Sequence, residues 1–263
     1  MESNFDIIQT YNQLVAYGQD PWWSATRALT IKYALSVEWE RPTLEIGGQN
    51  GIVSNIIGRP IDLMVDTEPE FAKWPANYRM VSQGNAECMD IPDNQYNSIV
   101  MLNAIYHCNR YKVLSECYRI LKKDGMVVLT DSPGYNDILT WSYLARKFGD
   151  EKSARKLIYM ELDMHGVNIV PGEWWDWLDK NMWETIAKKS FGSRELCLVS
   201  RAYYTIRNLI PQIGIPTSEL LEGVIELAYQ SKKIPEWLEQ DEKMCENGNA
   251  VFLFIVLKKL RKK

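Results

Sequence analysis

The sequence predicts an α/β protein built on one mostly parallel β-sheet. Between residues 42 and 132, five short apolar runs alternate with helical or loop segments, which is typical of parallel strands covered on both faces. The chain has 263 residues, 46% of them hydrophobic and 24% charged, as in ordinary globular proteins. That length favours a single large domain with helical insertions.

The first two strands are predicted together with the loop that follows the first. After Pro42, the apolar run TLEI leads into the loop GGQNG and then into the helical pattern IVSNII. The second apolar run, IDLMVD, ends in Asp66. The order is therefore strand, glycine loop, helix and strand.

Three further strands complete this part of the chain. The third is predicted in YRMVSQ and the fourth in NSIVMLNA, which precedes the helical pattern VLSECYRILKK. Asp124-Gly125 then turns the chain into the fifth strand, MVVLTD. One face of the predicted helix is apolar and carries Val113, Leu114, Cys117, Ile120 and Leu121.

The pattern changes after Ser132. A helical stretch from 134 to 166 is followed by PGEWWDWLDKNMWETIAKKS, which also has helical spacing, and by RELCLVS, which predicts a sixth strand. A second helical stretch covers about 201–240. The apolar run NAVFLFIVLKK predicts a buried last strand.

Charge and cysteine content exclude several classes of protein. With 30 basic and 34 acidic residues, the chain lacks the positive surplus that binds a phosphate backbone, so we expect no nucleic-acid partner. Five scattered cysteines without a CxxC motif indicate reduced thiols, and no residue cluster suggests a metal. The polar N-terminus and the absence of a long apolar run predict a cytoplasmic protein with no membrane partner.

The loop after the first strand and the acid after the second predict a site for a nucleoside-containing cofactor. Glycines at a strand-to-helix turn permit positive φ and let a ligand approach bare backbone. Asp66, at the tip of the next strand, can accept hydrogen bonds from a ribose diol. The Gly-Gly-Gln-Asn-Gly spacing differs from the dinucleotide pattern G-x-G-x-x-G, and no Gly-Lys-Ser/Thr follows, so a phosphate loop is excluded.

Four segments in order, TLEIGGQNG, IDLMVD, GNAECMDIPDNQYNSIVMLNAIYH and VLSECYRILKKDGMVVLTD, resemble a class I S-adenosylmethionine-dependent methyltransferase of the group that modifies small metabolites. The resemblance implies a Rossmann-like sheet of seven strands with an antiparallel last strand, and S-adenosylmethionine as cofactor. It divides the single domain, 1–263, into an N-terminal helical cap (1–41), a cofactor-binding core (42–132), helical lid insertions (133–170 and 201–245) and the last strand (249–259).

The resemblance also assigns the cofactor site. Glu45 would lie near the methionine amino group, Asp66 would hold the ribose hydroxyls, and Asn103 would face the methionine portion. Glu45 could instead cap backbone amides, and Asn103 could be a turn residue. The complete predicted set is Glu45, Gly47, Gly48, Gln49, Gly51, Asp66, Thr67, Asn85, Ala86 and Asn103.

Three positions depart from the family pattern. Where Gln49 stands the family usually has glycine, so the loop either bends differently or Gln49 itself touches the cofactor. Asn85 stands in place of an acid but can still donate to and accept from the adenine edge. Asn97, also in place of an acid, is interpreted as structural.

Two residues just past the fourth strand are candidates for catalysis. His107, with Tyr106 beside it, falls where the family often has a histidine near the reacting atoms. A structural hydrogen bond that orients the loop is as good an interpretation of His107 as a general-base role.

A cluster of aromatic residues predicts an enclosed substrate pocket under the cap. Aromatic faces can hold a planar or cationic substrate and exclude water. For any single tryptophan, burial in the core is the favoured interpretation, and the substrate pocket is predicted from the group. For His165, a position at the surface or at a helix end is favoured over a role as a base. The predicted substrate residues are Trp22, Trp23, Arg27, Tyr143, His165, Trp174 and Trp175.

The function that the resemblance implies is methyl transfer to an oxygen or nitrogen atom of a small molecule or a short peptide, in a biosynthetic tailoring step. One alternative is methylation of a peptide terminus or side chain. Others are a homologue that binds the cofactor but promotes a rearrangement or cyclisation, and a binding module that has lost the cofactor. The sequence leaves the acceptor and the oligomeric state open.

Overall fold

The computed structural model describes residues 5–18, 21–68, 77–131, 171–193, 196, 230–246 and 250–260. The chain divides into two compact units. Unit 1 comprises Met1–Lys32, Gly134–Met164 and Ser190–Phe252, and unit 2 comprises Tyr33–Pro133, His165–Lys189 and Leu253–Lys263.

A seven-stranded sheet organises the described part of the chain. Neighbouring strands among β1 to β5 are parallel, and β7 is antiparallel to β5. The strand order is β3-β2-β1-β4-β5-β7-β6. This confirms the predicted Rossmann-like α/β fold with an antiparallel last strand. The strands are β1 Thr43–Ile46, β2 Leu63–Asp66, β3 Val81–Gln83, β4 Tyr96–Met101, β5 Leu121–Asp131, β6 Trp183–Ser193 and β7 Ala250–Lys259.

Helices connect these strands and precede the first of them. The Asp6 carboxylate caps α1 by accepting from the amides of Ile8 and Gln9, each at 2.9 Å. Asn109 caps α4 by accepting from the Lys112 amide at 3.2 Å. The helices are α1 Ile7–Ala16, α2 Pro21–Leu35, α3 Ile52–Ile57, α4 Arg110–Ile120, α5 Pro171–Lys180 and α6 Ile234–Met244, with 3₁₀ turns at Ile105–His107 and Gln230–Lys233.

The core of unit 2 forms where α4 packs on the sheet. Most of the apolar helix face predicted from the sequence is buried, since Val113, Leu114, Cys117 and Ile120 are 0% exposed. The helix predicted over VLSECYRILKK is too long, because α4 ends at Ile120 and the equally buried Leu121 begins β5. Removing such side chains from water is the main stabilising contribution to folding. They share one cluster with strand residues such as Leu44, Ile99, Met101, Val127 and Leu129.

Unit 1 is held together partly by a buried carboxylate on α6. Asp241, 1% exposed, accepts hydrogen bonds from the amides of Gly192 and Ser193 at 3.0 and 2.8 Å. Burial raises the pKa of this carboxyl group. Nearby, the rings of Phe191 and Phe252 stack with centroids 5.5 Å apart. These contacts join the end of β6 to α6 within the unit.

The structure corrects the sequence prediction after residue 180. The helix predicted over PGEWWDWLDKNMWETIAKKS ends at Lys180, and Trp183–Ser193 forms β6 instead. Met182 has φ 66°, a left-handed conformation that no helix continues through. The sixth strand was predicted in RELCLVS, but it lies before that segment. The helical stretches at 134–166 and 201–229 lie outside the described residues.

Among the helices that the structure describes, none has the length and hydropathy to cross a membrane.

Candidate functional site

The strand order reverses between β1 and β4, because β2 pairs with one side of β1 and β4 with the other. In open α/β sheets, ligands bind at the carboxyl ends of the strands beside such a reversal. Here Gly47, which follows β1, has φ 73°, and a Cβ atom built on it would lie 2.4 Å from the Cβ of Ala104. The loops after β1 and β4 therefore meet at this point, and the close approach requires glycine.

Asp66, at the end of β2, holds the glycine loop in place. Its Oδ2 accepts from the Gln49 amide at 2.9 Å, and its Oδ1 accepts from the Glu68 amide at 3.0 Å. Each carboxylate oxygen has a second acceptor site, so both can still accept from a ligand hydroxyl. Asp66 is 9% exposed, which is consistent with a side chain at the edge of a site.

The loop ends at the start of α3. Gln49 and Gly51 have φ 48° and 70°, and Gly51 is the N-terminal cap of α3. The left-handed conformation at Gln49 explains why a glycine suits this position. Gln49 itself adopts this conformation, and a different bend of the loop or a contact of the Gln49 side chain with the cofactor stays a prediction.

Glu45 is buried beneath this loop at 2% exposure. The Ser54 hydroxyl donates to Glu45 Oε1 at 2.6 Å, whereas Oε2 has no hydrogen-bond partner of standard geometry among the described residues. Burial raises the pKa of Glu45, and the Ser54 and Tyr78 hydroxyls oppose that rise. A Cβ at Gly48 would lie 2.8 Å from the Tyr78 hydroxyl and 3.0 Å from Glu45 Cδ. No larger residue fits at Gly48, because the Tyr78 hydroxyl and the Glu45 carboxyl group already occupy the space where its side chain would lie.

Asn103, just past β4, is bonded to β5. It has φ 58°, its amide donates to Thr130 Oγ1 at 2.7 Å, and the Thr130 hydroxyl donates to Asn103 Oδ1 at 3.1 Å. The 3₁₀ turn that follows carries Tyr106, which is buried, and His107, which is exposed. Their ring centroids lie 4.4 Å apart. The two catalytic candidates therefore lie near the switch point, with His107 accessible to solvent.

A buried ion pair follows this turn. Arg110, the first residue of α4, donates from Nε and Nη2 to the two carboxylate oxygens of Asp131 at 2.9 and 2.8 Å. Both side chains are at most 5% exposed. Bidentate geometry of this kind fixes the direction of both groups.

The loop predicted to contact adenine is clamped to α4. The Asn109 amide donates to Glu87 Oε1 at 2.8 Å, and Arg119 donates to the carbonyls of Ile91 and Met89. Asn85, which is exposed, forms a turn by accepting from the Glu87 amide at 2.9 Å. Ala86 is buried and Thr67 is exposed. Asn97 instead donates to the Arg41 carbonyl at the amino end of β4, consistent with a structural role.

The structure places only part of the predicted substrate set. On α2, Arg27 is 8% exposed and lies 5.3 Å from the centroid of the Trp23 ring. Trp175 packs against the core of unit 2, and Lys188 Nζ lies 3.9 Å from its ring centroid. Tyr143, His165 and the side chains of Trp22 and Trp174 lie outside the described residues.

Sequence reasoning missed Ser54, Tyr78, Thr130 and the Arg110–Asp131 pair. Their links to the site cross from one element to another. Thr130 and Asp131 could have been found from their place at the end of the fifth predicted strand, because neighbouring parallel strands such as β4 and β5 end side by side. Within the described ranges, no three His, Cys, Asp or Glu residues are grouped as a metal site.

The chain is similar to methyltransferases both in part of its sequence and in its fold. A family model described as "Methyltransferase domain" matches residues 44–129, from β1 into β5. The matched segment contains the whole glycine loop and the Asn103 turn. No curated protein sequence matches the chain.

Solved structures share this fold. A SAM-dependent methyltransferase from Thermotoga maritima is 15% identical with a TM-score of 0.51, and the match covers 97% of this chain and 100% of that one. A chain of the Haloferax volcanii complex that contains the Trm112 methyltransferase activator is 12% identical, with a TM-score of 0.53 and coverages of 95% and 98%. The (4+2)-cyclase SpnF is 10% identical, with a TM-score of 0.52 and coverages of 90% and 81%.

Proposed function

We propose that this protein binds S-adenosylmethionine at the carboxyl ends of β1, β2 and β4 and transfers its methyl group to a small molecule or short peptide. The acceptor atom is an oxygen or nitrogen, and the reaction is a biosynthetic tailoring step. The observation that carries the proposal is the buried Glu45 carboxyl group, whose Oε2 lacks a partner of standard geometry among the described residues, beside the bare backbone of Gly48.

The residues at the switch point fit this cofactor. A buried carboxyl group whose Oε2 has no hydrogen-bond partner of standard geometry among the described residues matches the ammonium group of the amino-acid end. Asp66 retains acceptor sites for two ribose hydroxyls. The glycines at 47 and 48 let the loop pack directly against Ala104, Tyr78 and Glu45, which fixes its backbone at the carboxyl end of β1. When bound, S-adenosylmethionine supplies an electrophilic methyl group on a sulfonium.

The chain itself contributes positioning and one candidate proton acceptor. Glu45 and Asp66 lie on adjacent strands and direct two separate parts of the ligand, so the site orients it at both ends. His107, exposed next to the Asn103 turn, is the group that can accept a proton from an acceptor hydroxyl or ammonium. Tyr106 packs against His107 and orients its ring.

Binding is tested first, by titrating the protein with S-adenosylhomocysteine in a calorimeter. Asp66→Asn should weaken binding about tenfold, since it removes charge-assisted hydrogen bonds to the ribose. Asp62→Asn is the matched control, because Asp62 precedes the same strand at its amino end and binds Arg41 and the Thr43 amide. Wild-type protein that binds no ligand, or equal losses in both variants, would contradict the proposed site.

Turnover is tested with pools of amines, alcohols and short peptides. Release of S-adenosylhomocysteine together with one added methyl group on an acceptor supports methyl transfer, and a peptide acceptor would select the peptide-modifying alternative. The fold is shared with a (4+2)-cyclase, and one fold can host different reactions. If the product is rearranged and carries no added methyl group, the protein promotes a rearrangement or cyclisation instead of methyl transfer.

A further inference from the structure

Both ends of one short segment beside the cofactor site are fastened to the last two residues of β5. Thr130 bonds Asn103 at the start of this segment, and Asp131 pairs with Arg110 at its end. Residues 103–110 include the 3₁₀ turn with Tyr106 and His107. The tip of β5 therefore determines where this segment lies, although β5 itself was not part of the predicted site.

Thr130 controls the conformation of Asn103 at two points. Its hydroxyl oxygen accepts from the Asn103 amide, and its hydroxyl proton goes to Asn103 Oδ1. The first bond stabilises a left-handed backbone that an asparagine adopts only at some cost, and the second orients the side-chain amide. Thr130 is 0% exposed, so neither bond competes with water.

The Asn103 turn adjoins the glycine loop, since the next residue, Ala104, fills the space opposite Gly47. Asn103 is thus on the β1–β4 side of the switch point, away from Asp66 on β2. Under the proposed function, a ligand whose ribose binds Asp66 would extend its other end toward the Asn103 turn.

We propose that Thr130 is a positioning residue for the amino-acid end of the cofactor. It holds the Asn103 turn in the conformation that contacts this end, and it does not affect the adenosine end. The inference rests on the proposed function, because it takes S-adenosylmethionine as the ligand.

The test compares two ligands that differ only at the amino-acid end, S-adenosylhomocysteine and 5′-methylthioadenosine. Thr130→Val keeps the shape of the side chain but removes both hydrogen bonds. It should weaken the binding of S-adenosylhomocysteine about tenfold and leave the affinity for 5′-methylthioadenosine within about twofold of the wild-type value. Thr130→Ser, which keeps the hydroxyl, should restore binding. A merely structural role would affect both ligands.

Thr43→Val is the matched control. Thr43 is also 0% exposed and donates from its hydroxyl to the Glu40 carbonyl at 3.3 Å, but it lies at the amino end of β1. It should lower stability without changing the ratio of the two affinities. Asn103→Gly provides a second measurement that leaves the sheet unchanged, and it should lose the same selectivity for S-adenosylhomocysteine.

The outcomes separate the two proposals. If wild-type protein binds neither ligand, the proposed function fails and the role of Thr130 fails with it. If wild-type protein binds S-adenosylhomocysteine but Thr130→Val and Asn103→Gly bind it equally well, only the role of Thr130 is overturned. Equal weakening of both ligands in either variant also overturns it.

Discussion

The Ser54 hydroxyl on α3 donates a 2.6 Å hydrogen bond to the buried Glu45 carboxyl group at the end of β1. This bond joins the helix after the glycine loop to the strand before it. Burial of Glu45 disfavours the charged form of its carboxyl group more than the Ser54 and Tyr78 hydroxyls favour it.

The first prediction is that ligand affinity depends on pH through Glu45. Burial raises the pKa of this group, so without ligand it keeps its proton at pH values where an ordinary glutamate is ionised. A ligand ammonium group favours the ionised form, so binding should release a proton. Affinity for S-adenosylhomocysteine should therefore rise as pH increases from the ordinary pKa through the raised one.

Calorimetry in buffers of different ionisation enthalpy measures that proton release. Glu45→Gln, which keeps the acceptor for Ser54 but cannot ionise, should abolish both the release and the pH dependence. In the wild-type protein, folding stability should fall as pH rises over the same interval, because the folded state binds more protons there than the unfolded state. Glu45→Gln should remove this fall. Identical pH profiles for Glu45→Gln and wild type would refute the assignment.

The second prediction concerns Gly47. Gly47→Ala should destabilise the fold by about 2–4 kcal/mol, because it combines a left-handed φ with overpacking against Ala104. Gly58→Ala is the matched control, since Gly58 has φ 71° but its nearest neighbour would be 4.0 Å away. It should cost only about 1 kcal/mol. Denaturant unfolding measures both values, and equal losses would show that the Ala104 contact carries no cost.

The third prediction concerns the departure at Gln49. Gln49→Gly should raise the free energy of unfolding by up to about 1 kcal/mol, since glycine adopts φ 48° without the strain of a side chain. The amide that bonds Asp66 is retained, so ligand affinity should stay within about twofold. Loss of affinity in a folded Gln49→Gly protein would show instead that the Gln49 side chain touches the ligand.

The fourth prediction separates a buried ion pair from an exposed one. Arg110→Leu should destabilise the protein by about 3–5 kcal/mol, because it leaves the Asp131 carboxylate buried without its partner. Replacing both residues by leucine should cost less than Arg110→Leu alone. The comparison is the Lys32–Glu242 pair, whose side chains are 34% and 53% exposed and whose loss should cost at most about 1 kcal/mol. Urea titration of all variants gives these differences.

The strands that build the site were predictable because their sequence signal is local. β1 and β2 are buried at every residue, and β4, β5 and β7 each contain an apolar stretch that is largely buried. Such runs can be recognised from the sequence without knowledge of the neighbouring strands. The loop glycines and Asp66 follow directly from the strand ends. The links of Ser54, Thr130 and Arg110 to the site depend on which elements pack together, and that is not encoded in spacing along the chain.

β6 was mistaken for helix for a related reason. Its pattern of burial is interrupted, with Glu184, Thr185 and Ile186 all exposed, so it lacks the apolar run of a buried strand. The turn before it is made by Asn181 and Met182, and methionine in a left-handed conformation is not a recognisable turn signal.

The polar composition of β6 has a consequence for behaviour at high concentration. β6 is the outermost strand at its end of the described sheet, and it carries exposed ionic side chains such as Glu184 and Lys189. A second molecule that added its own strand there would have to strip water from these charges. These charged side chains therefore oppose fibril-like stacking at β6. Replacing them by neutral residues should make the protein precipitate more readily.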